Sequence, residues 1–198
     1  MKTIDCVQYS PEWYKARIGI PTSSSFDKIV TTKGEVSKQR TKYLYQLAGE
    51  TITGISEETY QNSSMLRGKE MEAEARQLYQ LITGNEVQEV GFCLADDSKY
   101  GASPDGMITG KGSIELKCPK LATHVEYLLN NELPTEYFQQ VQGQLLVTGY
   151  EWVDFMSYYP GIKPLIIRVN RDKKFLRTLE AELVIFYDEL IELVKKLR

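Results

Sequence analysis

Ala102-Ser103-Pro104-Asp105-Gly106 is followed, ten residues after the aspartate, by Glu115-Leu116-Lys117. The pattern is an acid, a short glycine-bearing hairpin, then acid, apolar residue and lysine. Strand side chains alternate, so Glu115 and Lys117 share one face while Leu116 turns into the core. The antiparallel turn can bring Asp105 to the same end of the sheet. A hard cation takes oxygen ligands, and two carboxylates plus the Leu116 carbonyl would suit Mg²⁺ or Mn²⁺, leaving positions for water and a phosphate oxygen. Lys117 could then orient or deprotonate the attacking water and offset charge on the pentavalent phosphorus. This is the set of groups a Mg²⁺-dependent phosphodiester hydrolase requires. Each half alone has an ordinary structural explanation, since Pro-Asp-Gly is a common turn and Glu-x-Lys on a strand is often an exposed ion pair worth about 0–1 kcal/mol. Their coincidence at hairpin spacing favours chemistry.

The elements around this hairpin follow from local signals. Ser10-Pro11-Glu12 reads as an N-cap, a first-turn proline and an early acid, so a short helix carries Trp13, Tyr14 and Arg17 and stops at Gly19. Thr22-Ser23-Ser24-Ser25 is a polar turn into a second short helix, Phe26 to Val30, and hydroxyls near a helix N-terminus suit an anion. Helices are expected from Ser37 to Thr53 and from Met65 to Thr83, with Gly84 as the stop. Val87 to Leu94 alternates imperfectly, as a strand does, and ends in the turn Asp96-Asp97-Ser98. Gly106–Thr109 and Ser113–Lys117 form strands around Gly110-Lys111-Gly112. Helices at Ala122–Asn130 and Thr135–Thr148, strands at Glu151–Tyr159 and Leu165–Val169, and a helix from Lys174 to Leu197 complete the chain. The expected class is α/β (α+β), one domain over residues 1–198, a mixed central β-sheet flanked by helices, with the chain opening on helices.

Composition narrows the chemistry. The chain has 198 residues, 42% of them hydrophobic, enough for one good core. It begins without an apolar run after a basic start, and no segment has the apolar length of a membrane span, so a soluble, unexported protein with no membrane partner is expected. Three widely spaced cysteines, Cys6, Cys93 and Cys118, fit neither a disulfide framework nor a zinc module and point to a reducing cytoplasm. Cys118 reads as a small buried thiol. His124 is the only histidine, which excludes chemistry built on paired histidines, and it reads as a helix-surface residue. Net charge is −3, so DNA contact must be local. Residues 1–45 hold eight Lys/Arg against four Asp/Glu while residues 50–89 hold three against eight, which makes the amino-terminal part the better candidate for touching phosphate.

Further blocks stand in order around the hairpin. They are Trp13-Tyr14-Lys15-Ala16-Arg17-Ile18-Gly19-Ile20-Pro21-Thr22-Ser23-Ser24, Arg67-Gly68-Lys69-Glu70-Met71-Glu72, and Tyr137-Phe138-Gln139-Gln140-Val141-Gln142-Gly143-Gln144. With Ser103-Pro104-Asp105-Gly106 and Glu115-Leu116-Lys117-Cys118-Pro119, this arrangement resembles the YqaJ-like viral recombinase (bacteriophage lambda exonuclease) family of the PD-(D/E)xK nuclease superfamily. The resemblance spans roughly Trp13 to Tyr159.

What it implies is a restriction-endonuclease-like core and a processive exonuclease that degrades one strand of linear double-stranded DNA from a 5′ end. The products would be 5′-mononucleotides and a 3′ overhang suited to single-strand-annealing recombination. Asp105 and Glu115, with the Leu116 carbonyl, would hold Mg²⁺ (Mn²⁺ substituting), and Lys117 would act on the nucleophilic water. Glu72 would assist the metal-water network and Gln142 would position water or Lys117. Arg17, Ser24 and Ser103 would bind the terminal 5′-phosphate, and Arg40 would contact DNA near the entrance. A ring-shaped homotrimer, a single-strand annealing partner, and phage or prophage origin in a bacterial cytoplasm follow from the same resemblance.

The residues themselves leave alternatives. Arg17 on an exposed turn could be a surface cation. Met71, Ala75, Leu78 and Ile82 share a helix face that Glu72 and Glu74 flank, and periodicity does not choose between the two acids; the resemblance favours Glu72. Phe138, Val141, Leu145 and Thr148 mark a buried side that Gln142 borders, so it could merely cap the core edge. Trp13 and Tyr14 could stack on a base or pack on the next helix. An endonuclease or resolvase of the same superfamily, or a non-catalytic DNA-binding domain on this fold, are the rival functions.

Overall fold

The computed structural model describes residues 1–56, 63–110 and 112–198, with side chains outside 63–69. Lys111 of the expected hairpin turn lies outside the described residues. The chain opens on a strand rather than a helix. β1 (Lys2–Ile4) pairs antiparallel with β2 (Phe92–Leu94), which pairs with β3 (Gly101–Ala102), forming a three-stranded sheet. Three residues of mixed polarity gave no period to read, and a partner about ninety residues away leaves no local signal. The long strand expected from Val87 is broken: Gln88 bridges Met107, and only Phe92–Leu94 joins β1. Gly91 lies in the gap, where a Cβ would meet the Cys6 carbonyl oxygen at 2.3 Å.

The second sheet is mixed, in the order β4 (Gly106–Ile108), β5 (Gly112–Lys117), β6 (Trp152–Ser157), β7 (Leu165–Asn170). β5 runs antiparallel to β4 and parallel to β6, whose register sets Glu115 beside Phe155. The crossover between β5 and β6 carries α4 (Leu121–Asn130), a 3₁₀ turn at Thr135–Tyr137 and α5 (Phe138–Thr148). A parallel pair needs such a crossover, and here it lays α5 against the sheet.

Ahead of the sheets come α1 (Pro11–Arg17), a 3₁₀ helix at Ser23–Lys28, α2 (Arg40–Thr53) and α3 (Ser63–Thr83). Ser10 caps α1 by accepting from the Trp13 N–H, and Gly84 closes α3 at φ 68°. α6 (Lys173–Leu197) starts at Asp172, whose carboxylate accepts from the Lys174 and Phe175 amides. Its stripe Phe175, Leu179, Leu183, Phe186, Leu190 and Val194 is buried, and Phe186 stacks on Tyr43 of α2 with ring centroids 5.6 Å apart. A second core joins Ala75 and Tyr79 of α3 to Ile108, Ile114, Leu116 and Met156 of the mixed sheet. Tyr79, rather than Ile82, completes the buried face of α3; Ile82 is half exposed.

Gly143 decides how near α5 comes to the serine turn. A Cβ there would lie 2.4 Å from the Phe26 ring and 3.0 Å from Ser23, so only glycine lets the 3₁₀ helix seat against α5. α5 is consequently buried on nearly every side, glutamines included. His124 is also inside, fully buried between Ser157 Oγ (2.7 Å) and the Lys163 carbonyl (3.0 Å), because α4 packs its histidine face toward β6 instead of water. Among the described residues no helix is long and apolar enough to cross a membrane.

Candidate active site

β5, the strand that bears Glu115 and Lys117, is fixed by its neighbours on both sides. Asp105 immediately precedes β4, and its Oδ2 accepts from the Leu116 N–H at 2.7 Å, which ties the aspartate loop to the strand bearing the second acid. Glu115 is 1% exposed, so its charge depends on donors. Oε1 accepts from Gln140 Nε2 at 2.6 Å and from Lys117 Nζ at 2.5 Å, and Oε2 accepts from Gln144 Nε2. The Lys117 ammonium also lies 5.0 Å from the centre of the Tyr137 ring.

The electrostatics are lopsided. Burial, then the Glu115 and Glu72 charges, push the Asp105 carboxyl well above its ordinary range, against the pull of Lys117 and the Leu116 N–H. Burial pulls the Lys117 ammonium down, but Glu115 and Asp105 outweigh it and leave the group raised. Three acids thus face one lysine around a common space.

That space is a cleft of about 460 Å³, and two groups of side chains line it. One is Asp105, Glu115, Leu116, Lys117, Glu72 and Gln140. The other is Arg17, Ser24 and Ser103 with Trp13 and Tyr14. Arg17 is 7% exposed, its guanidinium 4.0 Å over the Trp13 ring, donating to Ser103 Oγ and Thr22 Oγ1 at 3.3 Å each. Trp13 Nε1 donates to the same Ser103 Oγ at 2.9 Å, so the indole holds both cation and hydroxyl in place. Ser24 Oγ is 3.3 Å from Thr22 Oγ1 and reaches the cleft from the 3₁₀ helix. A pre-oriented guanidinium with two hydroxyls is a receptor for a phosphate oxyanion.

Two expected site residues are elsewhere. Gln142 is turned away from Lys117: its Nε2 donates to the Asn170 carbonyl at 2.8 Å and its Oε1 accepts from the Asp172 N–H at 2.9 Å, pinning the join of β7 and α6. Arg40 does not line the cleft; it pairs with Glu189 of α6 at 2.5 Å, over the Phe186 ring. Conversely, Gln140 and Gln144, which the sequence reading did not single out, are the α5 glutamines that reach the site, both donating to Glu115. An amphipathic reading fails on a helix buried all round. The usable signal was the spacing of four between Gln140 and Gln144, which places them on one face.

Among the described residues no three His, Cys, Asp or Glu side chains form a ready metal cluster. The fit to a divalent ion rests instead on two carboxylates and one carbonyl, and on the like-charge crowding at Asp105 that a cation would relieve. The remaining ligands would be water and phosphate oxygens.

The family model of the YqaJ-like viral recombinase domain matches residues 12–151. An alkaline exonuclease (LHK-Exo) from Laribacter hongkongensis is similar in structure, with TM-score 0.86, 33% identity and coverage of 95% of this chain and 96% of that one. The same enzyme in complex with dAMP gives TM-score 0.87 at 34% identity, with the same coverage of 95% and 96%. A phage-related exonuclease from Haemophilus somnus 129PT shares the fold, with TM-score 0.71, 14% identity and coverage of 90% and 96%. No curated protein matches.

Proposed function

The chain belongs to the YqaJ-like viral recombinase family, is a nuclease of the lambda-exonuclease type on the restriction-endonuclease-like fold, and from that premise we propose a Mg²⁺-dependent 5′→3′ exonuclease acting on linear duplex DNA. It removes 5′-mononucleotides and leaves a 3′ overhang for strand annealing. The observation that carries this is the sharing of one cleft by Asp105, Glu115 and Lys117 and by Arg17, Ser24 and Ser103.

Asp105, Glu115 and the Leu116 carbonyl would hold the Mg²⁺ or Mn²⁺. The ion, when bound, supplies Lewis-acid polarisation of the scissile phosphate. Lys117 orients the attacking water and offsets the negative charge that builds on phosphorus. Gln140 and Gln144 fix the Glu115 carboxylate, and Glu72 hydrogen-bonds water in the same space. The guanidinium of Arg17, with the Ser24 and Ser103 hydroxyls, grips the terminal 5′-phosphate and so sets the distance from the strand end to the bond that breaks. A homotrimer encircling the duplex and a single-strand annealing partner, in the bacterial cytoplasm and from a phage or prophage, complete the proposal.

The test compares linear duplexes with 5′-phosphate or 5′-hydroxyl ends, with and without Mg²⁺. Rapid metal-dependent loss of phosphorylated ends only, abolished by Lys117→Ala, is expected. Cutting of covalently closed circles would instead make the protein an endonuclease, and metal-independent binding without cutting would make it a DNA-binding domain.

A further inference from the structure

Tyr9 is the third residue of a turn closed by the Ser10 N–H to the Val7 carbonyl at 3.0 Å, and its φ is 67°. Glycine and asparagine favour that left-handed position; a tyrosine there is strained. The turn is held from outside, because Gln8 Nε2 donates to the carbonyls of both Val90 and Pro104 at 2.8 Å. Strain maintained by its surroundings and adjoining a site is a pointer to use.

The ring has a defined place. It lies 5.1 Å from the Trp13 ring, which Arg17 covers, at 42°, and it lines the same cleft as Arg17 and Asp105. It also lines a neighbouring groove of about 680 Å³ that includes Asp5, Glu72, Arg76 and Asp105, so the phenol forms part of the wall between the two spaces. Burial and the Glu72 and Asp105 charges push its hydroxyl well above the ordinary range, which keeps the ring neutral beside the carboxylates.

We infer that Tyr9 is a substrate-positioning residue whose ring stacks on the base of the terminal nucleotide. The inference rests on the exonuclease reading. A nucleotide with its 5′-phosphate at Arg17 and its 3′ phosphodiester at Asp105 puts its sugar and base in or beside the cleft that Tyr9 lines. Trp13 is buried and already covered by Arg17, whereas Tyr9 is only half-buried. Every base has a π-face, so a stacking wall serves an enzyme that must accept each base in turn.

The experiment is a double-mutant cycle on equilibrium binding. A fluorescein-labelled, 5′-phosphorylated duplex, with an ordinary or an abasic 5′-terminal nucleotide, is titrated in EDTA with the native protein, Tyr9→Gly, Tyr9→Asn and Tyr9→Phe. Removing the ring should weaken binding of the ordinary end by roughly 5- to 100-fold, the size of one base–aromatic stack. Binding of the abasic end should not change, and Tyr9→Phe should behave as native on both. Tyr9→Gly and Tyr9→Asn suit the left-handed backbone, so their Tm should equal or exceed the native value while KM for digestion rises more than kcat falls. Equal losses on ordinary and abasic ends, or no loss, would overturn the role of Tyr9. If the native protein neither binds nor digests the duplex, the exonuclease reading fails first and takes this inference with it.

Discussion

Two buried carboxylates sit on adjacent strands and are treated in opposite ways. Asp154 of β6 is 2% exposed, and its oxygens are consumed by Arg168, which donates twice at 2.8 Å, and by the Tyr79 hydroxyl at 2.7 Å. Trp152 covers the guanidinium at 3.7 Å. The charges there balance, and neither Asp154 nor Arg168 lines the cleft that Glu115 opens on. Glu115 of β5 is as deeply buried, yet its donors are two neutral amides and one lysine shared among three acids, and it opens on a cleft. Burial alone therefore does not mark a site; burial with unbalanced charge and access does.

Breaking each side should separate stability from activity. Lys117→Ala removes the cation paired with Glu115, which on the proposed mechanism offsets charge on the phosphate, and should lower the digestion rate on the order of 10³-fold, with the fold retained by circular dichroism. Asp105→Asn should be as inactive and yet raise Tm in metal-free buffer at neutral pH. The sign follows from the raised folded-state pKa of Asp105: ionisation opposes folding, so its penalty grows as pH climbs from the unfolded value through the folded one, and a neutral amide escapes it. Asp154→Ala should do the reverse, costing about 2–3 kcal/mol in denaturant titration by stranding Tyr79 and Arg168, while rate per folded molecule stays native.

Smaller effects sharpen the comparison. Gln144→Leu keeps the volume of a fully buried side chain and removes one donor to Glu115; it also removes an amide oxygen without a partner among the described residues. Activity should fall roughly 10- to 100-fold, as for other residues that orient ligands, with little change in Tm. Arg40→Gln should change digestion less than about twofold and stability by about 1 kcal/mol, because it breaks a partly exposed ion pair with Glu189 and the contact of the guanidinium with the Phe186 ring.

Legibility in the sequence tracked how local the physics was. The Asp105 hairpin, the Ser10 cap, the Gly84 stop and the α6 stripe depend on neighbours within a few residues, and their positions were readable. The β1 strand, the burial of His124 and the aim of each α5 glutamine depend on partners far along the chain. Glu115 was readable through its hairpin while Asp154, equally buried, was not, since its partners Tyr79 and Arg168 come from separate elements. The hydroxyls of Thr22–Ser25 and the basic amino-terminal part were readable from the residues, but the grouping of Arg17, Ser24 and Ser103 came only through resemblance. Its physical basis, Trp13 holding Arg17 and Ser103 together, exists only once α1 meets the loop before β4.

Calorimetric titration of Mn²⁺ into the native protein, Asp105→Asn and Asp154→Asn tests the central claim most directly. The account predicts binding by the native protein and by Asp154→Asn, and its loss in Asp105→Asn. Native-like Mn²⁺ binding by Asp105→Asn would contradict it.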